Sequence, residues 1–353
     1  MRKEDELKTS FITPFGTYCY LRMPEGLKNA GGSFSRMTLA VVKGQLGRNI
    51  LTYVDDIIVK SDKQEHHIED LKETFQNFRK ASLKLNPENC VFAFTKGKFL
   101  GCSVSSRGIE ANPSKIDAIV RMQPPMSRRW AQKLAGRLAT LNRFISRSAE
   151  RNLPFIQVLR GIEPFHWGQK QQEAFEELKA YLTKLTTLSP LSLKADLLLY
   201  VVALKTTISA VLAQETDMEN QKKQSPIYFV SKSLGVSKWN YTEIEKIIYA
   251  VGMASRKLKH YFQAHHIVVP SSFPLKDVLG NKEIGGRIAK WAMELNEYVI
   301  DFVHRSSIQS QALADFIADW ILEPEVHNTF EEAEVWTAFY DGAWGLREQG
   351  LRQ

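Results

Sequence analysis

The strongest constraint on what this chain can fold into is the stretch Ile50-Leu51-Thr52-Tyr53-Val54-Asp55-Asp56-Ile57-Ile58-Val59. Two short β-rich apolar runs flank a pair of acids, which predicts a β-hairpin with the acids at its turn. A purely structural turn favours Asn-Gly or Asp-Gly, whereas adjacent carboxylates repel each other and titrate as a coupled pair. Such a pair makes chemical sense as ligands for a hard divalent cation, which takes carboxylate oxygens. A charged turn tip in water is the bland alternative, and a Tyr-x-Asp-Asp string does not decide between the two by itself.

Charge supplies the second constraint. The 353 residues carry a net +8 at 44% hydrophobic and 24% charged residues, a globular balance that excludes disordered, collagen-like and disulfide-scaffold chains. Residues 1–190 are net +11 and residues 191–353 net −3. Residues 121–160 hold nine basic side chains against one acid, Glu150. Arg129, Lys133 and Arg137 follow i, i+4, i+8, and Arg143, Arg147 and Arg151 repeat that spacing beside an apolar stripe of Trp130, Leu134, Leu138 and Leu141. The pattern predicts an amphipathic helix pair with a cationic face that contacts phosphates. Cys19, Cys90 and Cys102 form no CxxC pair, there is no membrane-length apolar run, and the first ten residues contain no secretory apolar core. These features suggest a soluble intracellular protein, cytoplasmic or nuclear, with no membrane partner.

Along the chain, Thr17–Met23 has strand character, and a helix carries Phe34, Met37, Val41 and Val42. After the hairpin, Ser61 is placed to cap a helix with Gln64 at the capping-box position, Ile68, Leu71, Phe75 and Phe78 as its buried stripe, and Asn86-Pro87 as its stop. A second hairpin, Val91–Phe94 with Phe99–Val104, turns at Lys96-Gly97. Asn112-Pro113 opens a helix that Pro124-Pro125 separates from the basic segment. Beyond a boundary near Ser189-Pro190, strands at Leu197–Ala203, Ala210–Gln214 and Pro226–Ser231 precede a long helix over Thr242–Phe262. Then follow strand Ile267–Val269, a helix near Gly286–Leu295, strand Tyr298–Val303 and helix Gln309–Trp320. This order implies a mixed sheet with helices packed on it. An acidic linker, Glu323–Glu334, precedes Trp336–Gln353.

Met23-Pro24-Glu25-Gly26-Leu27-Lys28-Asn29-Ala30, Tyr53-Val54-Asp55-Asp56, Lys84-Leu85-Asn86-Pro87 with Cys90, Phe99-Leu100-Gly101 and Arg107-Gly108-Ile109 stand in one order and spacing. In that order they resemble gypsy-type long-terminal-repeat retrotransposon reverse transcriptases, with a close match to the polyproteins of plant elements, over nearly the whole chain. The resemblance implies an α+β multidomain chain: partial fingers and palm over 1–110, a thumb-like helical segment over 111–190, and a ribonuclease H-like mixed α/β domain over 191–322. Residues 323–353 would be a linker and the start of a second ribonuclease H domain. It implies Asp55 and Asp56 as catalytic ligands of Mg²⁺ in a two-metal nucleotidyl transfer. Gly26, Leu27, Lys28, Asn29, Ala30, Phe34 and Tyr53 would contact template and nucleotide. Phe99, Leu100 and Gly101 would grip the primer, and Arg129, Lys133, Arg137, Arg143 and Arg147 would hold phosphates. The implied partners are an RNA/DNA template-primer duplex and deoxynucleoside triphosphates.

Two departures accompany the resemblance. The family's third metal-binding Asp is expected on a strand upstream of Lys8-Thr9-Ser10-Phe11, before Met1, and Glu25 stands where the family usually has Phe. In the ribonuclease H-like region the four acid positions fall on Val202, Glu245 (or Glu243), Ser272 and Asp315, so an inactive structural tether is expected there. Asp341, in Trp336–Gly342, would open the second ribonuclease H domain. Two readings stay open: a polymerase fragment, or a catalytically dead remnant that binds RNA/DNA hybrid through its basic segment. His66-His67 and His260, His265 and His266 lack cysteines at zinc-finger spacing and are expected to be packed or solvated. Trp291, Trp320 and Tyr298 are expected as core residues.

Overall fold

The computed structural model describes residues 1–94, 96–160, 165–185, 187–192, 196–218, 221–281, 285–304 and 337–340. The chain divides into two compact units that meet in sequence between Leu100 and Gly101.

The first unit begins with the short helix α1 (Lys3–Glu6) and the hairpin β1 (Phe11–Thr13) and β2 (Gly16–Tyr18). Helix α2 (Ala30–Val41) leads into β3 (Ile50–Tyr53) and β4 (Asp56–Lys60), which pair antiparallel with Tyr53 opposite Asp56. Helix α3 (His67–Lys80) has Glu69 and Asp70 in its first turn and Arg79 and Lys80 in its last, the arrangement that complements the helix dipole. Strands β5 (Cys90–Phe94) and β6 (Lys96–Phe99) follow. A four-stranded sheet runs β3-β4-β14-β5, in which β14 (Thr337–Tyr340) arrives from the far end of the chain. The core of this unit is small: Val42, Ile50, Ile57, Val59 and Phe78 are buried together, with Leu71, Phe75 and Leu83 against them.

Several local expectations need correction here. Ser61 does not cap α3, because its hydroxyl is taken by Asp70 and His67, and the helix is entered through a 3-10 turn at Gln64–His66. Ile68 is 64% exposed; the buried face carries His67, Thr74 and Phe78 instead. The helix stops at Lys80, where Ser82 takes a positive φ, and Asn86 caps the separate turn Pro87–Asn89 by accepting from the Glu88 amide. Lys96-Gly97 lie within β6; the turn falls at Leu100-Gly101, whose φ values of 50° and 72° are both left-handed.

The second unit is built on two cores sharing one sheet. Strands β7 (Cys102–Ser105) and β8 (Gly108–Ala111) pair antiparallel, and helices α4 (Pro113–Val120), α5 (Arg128–Ala139), α6 (Ser148–Arg151), α7 (Leu153–Arg160) and α8 (Gln169–Leu182) follow. Asn112 opens α4 as expected, its side chain accepting from the Ser114 amide ahead of Pro113. The sheet runs β11 (Gln221–Ser233), β10 (Thr207–Met218), β9 (Leu197–Ala203), β12 (Ile267–Ser271), β13 (Ile300–His304). The pairings of β9, β10 and β11 are antiparallel and those of β12 parallel, the mixed sheet expected from element order. Leu197, Leu199 and Val201 pack under α9 (Glu243–Lys257), α11 (Leu275–Gly280) and α12 (Gly286–Leu295). Tyr200 and Val202, on the other face, join Leu134, Leu138, Phe144, Phe155 and Phe175 of the helical segment. Burial on both faces is why β9 is an uninterrupted apolar run.

The helical segment and the sheet therefore share a core, and no break in packing falls at Ser189-Pro190. The Leu188 amide and carbonyl bridge Ile109, and the Ser189 amide donates to the Pro226 carbonyl at 2.8 Å. Two more expectations change. The helix from Thr242 ends at Lys257 and restarts as α10 (Lys259–Ala264), and α11 was not anticipated. Helix Gln309–Trp320, with Asp315 and Trp320, lies outside the described residues, as do Glu323–Glu334, Trp336 and Asp341. No helix among the described residues is long and apolar enough to cross a membrane.

Candidate functional site

The acid hairpin forms as its sequence requires. Ile50, Ile57, Ile58 and Val59 are buried and fix β3 and β4, leaving a two-residue turn of Val54 and Asp55. Val54 has φ 55°. A β-branched residue in the left-handed region is strained, so the surrounding packing holds this turn against its own preference. Tyr53 is 59% exposed beside it, and Asp55 and Asp56 are half-buried. The pair thus sits on a rigid tip with its carboxylates within reach of solvent.

The base of the hairpin is clamped by a polar network that sequence reasoning missed. Asn49, just before β3, donates to Asp70 Oδ1 at 2.6 Å, and Ser61, just after β4, donates to Asp70 Oδ2. One carboxylate on α3 therefore ties both strand ends together. Gln45 donates to Thr74 Oγ1 at 3.0 Å and accepts from Asn77 at 2.9 Å, extending the network across α3. Burial pushes the His67 imidazole below its ordinary pKa, and the nearby Asp70 opposes that only in part. The available signal was a polar stripe, His67, Asp70, Thr74 and Asn77, at helical spacing on the inner face of α3.

The start of α2 lies against the turn. A Cβ placed on Gly31 would stand 3.9 Å from Val54 Cγ1. Asn29 provides no side-chain cap, so the positive end of the α2 dipole is uncapped by a side chain where it lies against the turn. Gly26 has φ 90°, Leu27, Lys28 and Asn29 are exposed, the Ala30 amide bonds the Leu27 carbonyl at 2.9 Å, and Phe34 is half-buried. The structure thus gathers Ala30, Gly31, Val54 and the acids in one place. Phe99 ends β6, and Leu100 and Gly101 form the turn after it.

The basic residues divide. On α5, Arg129 and Lys133 are exposed, with Trp130 47% exposed and the Lys133 ammonium 5.8 Å from its ring. Arg137 turns inward to the Ala118 carbonyl. Arg143, Arg147 and Arg151 are not one helical stripe: Arg147 takes φ 53° before α6, and a run of turns separates Arg143 from that helix. Arg143 lies over the Phe144 and Tyr228 rings, and Arg147 grips Glu150 with two bonds. Arg151 stacks 3.9 Å from the Tyr181 ring, whose phenol burial pushes up in pKa. Trp130 is not part of the buried stripe, whereas Leu134, Leu138 and Leu141 are.

In the mixed sheet, Val202 is buried in an apolar layer, Glu245 completes a capping box with Thr242 and lies 3.6 Å from Arg287, and Ser272 is exposed after β12. Trp291 is core as expected. No cluster of three metal-ligating side chains occurs among the described residues. The donor set at the hairpin, two carboxylates, suits Mg²⁺, which is commonly held by one or two carboxylates with phosphates and water completing its shell.

The chain is similar to several known proteins. Residues 1–104 match the family described as reverse transcriptase (RNA-dependent DNA polymerase), and residues 167–269 match the RNase H-like domain found in reverse transcriptase. The chain is 30% identical to the retrovirus-related Pol polyprotein from transposon opus of Drosophila melanogaster, over 90% of this chain and 32% of that one. It is 30% identical to that from transposon 297, over 93% and 30%, and 24% identical to the Tf2-3 polyprotein of Schizosaccharomyces pombe, over 92% and 24%. It thus spans about a quarter to a third of these relatives. Among solved structures it resembles a foamy viral protease-reverse transcriptase in complex with double-stranded DNA (TM-score 0.77, 19% identity, 88% of this chain, 55% of that one). It also resembles one in complex with RNA/DNA hybrid (TM-score 0.73, 18% identity, 94% and 44%). The fold is that of a reverse transcriptase with an RNase H-like domain.

Proposed function

We propose that this chain, which carries a reverse transcriptase segment followed by an RNase H-like domain, is part of a gypsy-type, plant-like Pol polyprotein and works at a primer 3′-hydroxyl on an RNA or DNA template. One observation supports the reading: two adjacent carboxylates sit on a strained turn between buried strands, and Val54 of that turn lies against Gly31 at the start of a helix without a side-chain cap. Asp55 and Asp56 would hold Mg²⁺, which when bound supplies charge neutralisation for a triphosphate and activation of the attacking hydroxyl. The open α2 N-terminus offers backbone N–H groups and a positive dipole end to phosphate oxygens. Tyr53, exposed beside the acids, would abut the primer end, and Phe99–Gly101 would steady the primer strand.

The roles follow residues 1–110 as fingers and palm, 111–190 as thumb and 191–322 as an RNase H-like tether that cuts nothing. Arg129, Trp130 and Lys133 are the exposed part of the thumb, a cationic face with an aromatic platform for phosphates and bases. Primer extension on an RNA template with Mg²⁺ tests the reading. Incorporation should fall at least 100-fold in Asp55→Asn and in Asp56→Asn with duplex affinity retained. Absence of incorporation by the wild-type chain with either Mg²⁺ or Mn²⁺ refutes it.

A second reading, nucleic-acid binding without catalysis, is favoured by the two-acid donor set, since no third carboxylate joins the hairpin among the described residues. Under it, Arg129→Glu with Lys133→Glu weakens hybrid binding and flattens its salt dependence, while the Asp55 variant changes nothing.

A further inference from the structure

The sheet that carries the acid hairpin is closed by a strand from the opposite end of the chain. Its order is β3-β4-β14-β5, so among the described strands β5 is hydrogen-bonded into the hairpin's sheet through β14, with the Phe92–Phe75 ring contact as a separate tie to α3. Strand β14 is four residues long and pairs antiparallel on both sides. Thr337 stands opposite Lys60 and Phe94, Phe339 opposite Ile58 and Val91, and Tyr340 opposite Ile57 and Cys90. The ladder to β5 is irregular between Thr337 and Phe339, whereas the ladder to β4 is continuous.

Two physical facts bear on this arrangement. Inner strand edges expose rows of unpaired N–H and C=O groups, and an empty slot of this kind takes up extended chain. A four-residue strand also has few bonds with which to resist exchange, for strands in globular proteins run mostly to five or six. The sequence of the slot's occupant, Thr-Ala-Phe-Tyr, is rich in strand-forming residues and carries no charge to discourage pairing. Both neighbours hold site residues close by: β4 begins at Asp56, and β5 leads through β6 to Phe99–Gly101.

We infer that the gap between β4 and β5 is a strand-accepting slot whose occupant, Thr337–Tyr340, is an exchangeable closing strand, replaceable by an extended peptide of the same sequence. The occupant decides whether β5 is fastened to the acid hairpin. In the closed state the two ladders hold β4 and β5 in one sheet, and with the slot open β5 keeps no sheet partner among the described residues.

Hydrogen exchange on the full chain tests both halves of this inference. In Phe339→Pro the strand loses a donor and cannot sit centrally in a sheet. Amides of Cys90–Phe94 should then exchange at least 100-fold faster, those of Ile57–Lys60 less so, and those of β9 and β10 should not change. A synthetic peptide covering residues 334–343 should restore protection to β5, and the same peptide with proline at 339 should not. Unchanged exchange at β5 overturns the seat, and loss that the peptide fails to reverse overturns exchangeability. The wild-type chain supplies an independent measurement: it should take up fluorescently labelled peptide slowly and saturably, and no uptake by either chain overturns the inference.

Discussion

The two units solve the problem of covering a sheet in opposite ways. In the second unit both faces of β9 are buried, one under α9 and α12 and the other under the helices from α4 to α8, so each apolar side chain meets a partner. In the first unit the buried cluster is five residues, and large apolar side chains such as Phe15, Ile12, Leu21 and Phe92 stay in water. Its hairpin is held instead by a polar clamp at its base and by a borrowed strand in its sheet. Close packing gives the second unit its stability. The first unit buries less around its hairpin tip, where the two acids are half-buried.

The widest separation between the units should come from Phe175→Ala. Phe175 is fully buried, with the Trp167 and Phe155 rings at 5.9 and 6.3 Å, so its loss should cost about 3–5 kcal/mol. In denaturant the unfolding transition of the second unit should move to lower concentration while amide exchange of β3 and β4 stays put. A common shift would break the comparison. Next is Gly108→Ala, at φ 132°, where a Cβ would fall 2.0 Å from the Leu188 carbonyl oxygen. The bridge between Ile109 and Leu188 must open, at a cost of about 2–3 kcal/mol, seen as faster exchange of those two amides.

Asp70→Ala should act on the first unit alone. It strips Asn49 and Ser61 of their shared acceptor and should cost about 1–3 kcal/mol, with loss of protection at both ends of the hairpin. Thr242→Ala removes one half of the capping box of α9 and should lower the thermal midpoint of the second unit by the equivalent of about 1 kcal/mol.

Acid sharpens the comparison most gently. The folded-state pKa of His67 is depressed below 6.5 by burial, so the unfolded chain takes the proton first. Stability from this group is present above pH 6.5 and is lost as pH falls below it. The Glu294 carboxyl is held below its ordinary 4.5 by hydrogen bonds from Arg256, so its contribution survives to lower pH and goes only beneath 4.5. On titration from pH 7.5 to 5.5 the first unit should loosen before the second, and His67→Gln should abolish that early loss.

Legibility in the sequence tracked how local each signal was. The acid turn, the Asn112-Pro113 cap, the helix start at Thr242 and α12 at Gly286–Leu295 rest on residues within a few positions of one another, and each lies where expected. Errors arose where tertiary partners overrode a periodic pattern. The i, i+4 spacing of Arg143, Arg147 and Arg151 ran across turns, where the guanidiniums were claimed by Tyr228, Glu150 and Tyr181. Ser61 had the chemistry of a cap but lies buried beside Asp70, nine positions away. Nothing local announced that Thr337–Tyr340 would pair with β4, some 280 residues earlier.

Val202 has a consequence for which substitutions the sheet accepts. An aspartate at that position would be buried beside Tyr200, Val211 and Phe229, at a penalty of several kcal/mol unless a polar neighbour paired with it. A charged side chain at position 202 therefore needs more than one substitution, because Tyr200, Val211 and Phe229 would have to repack with it.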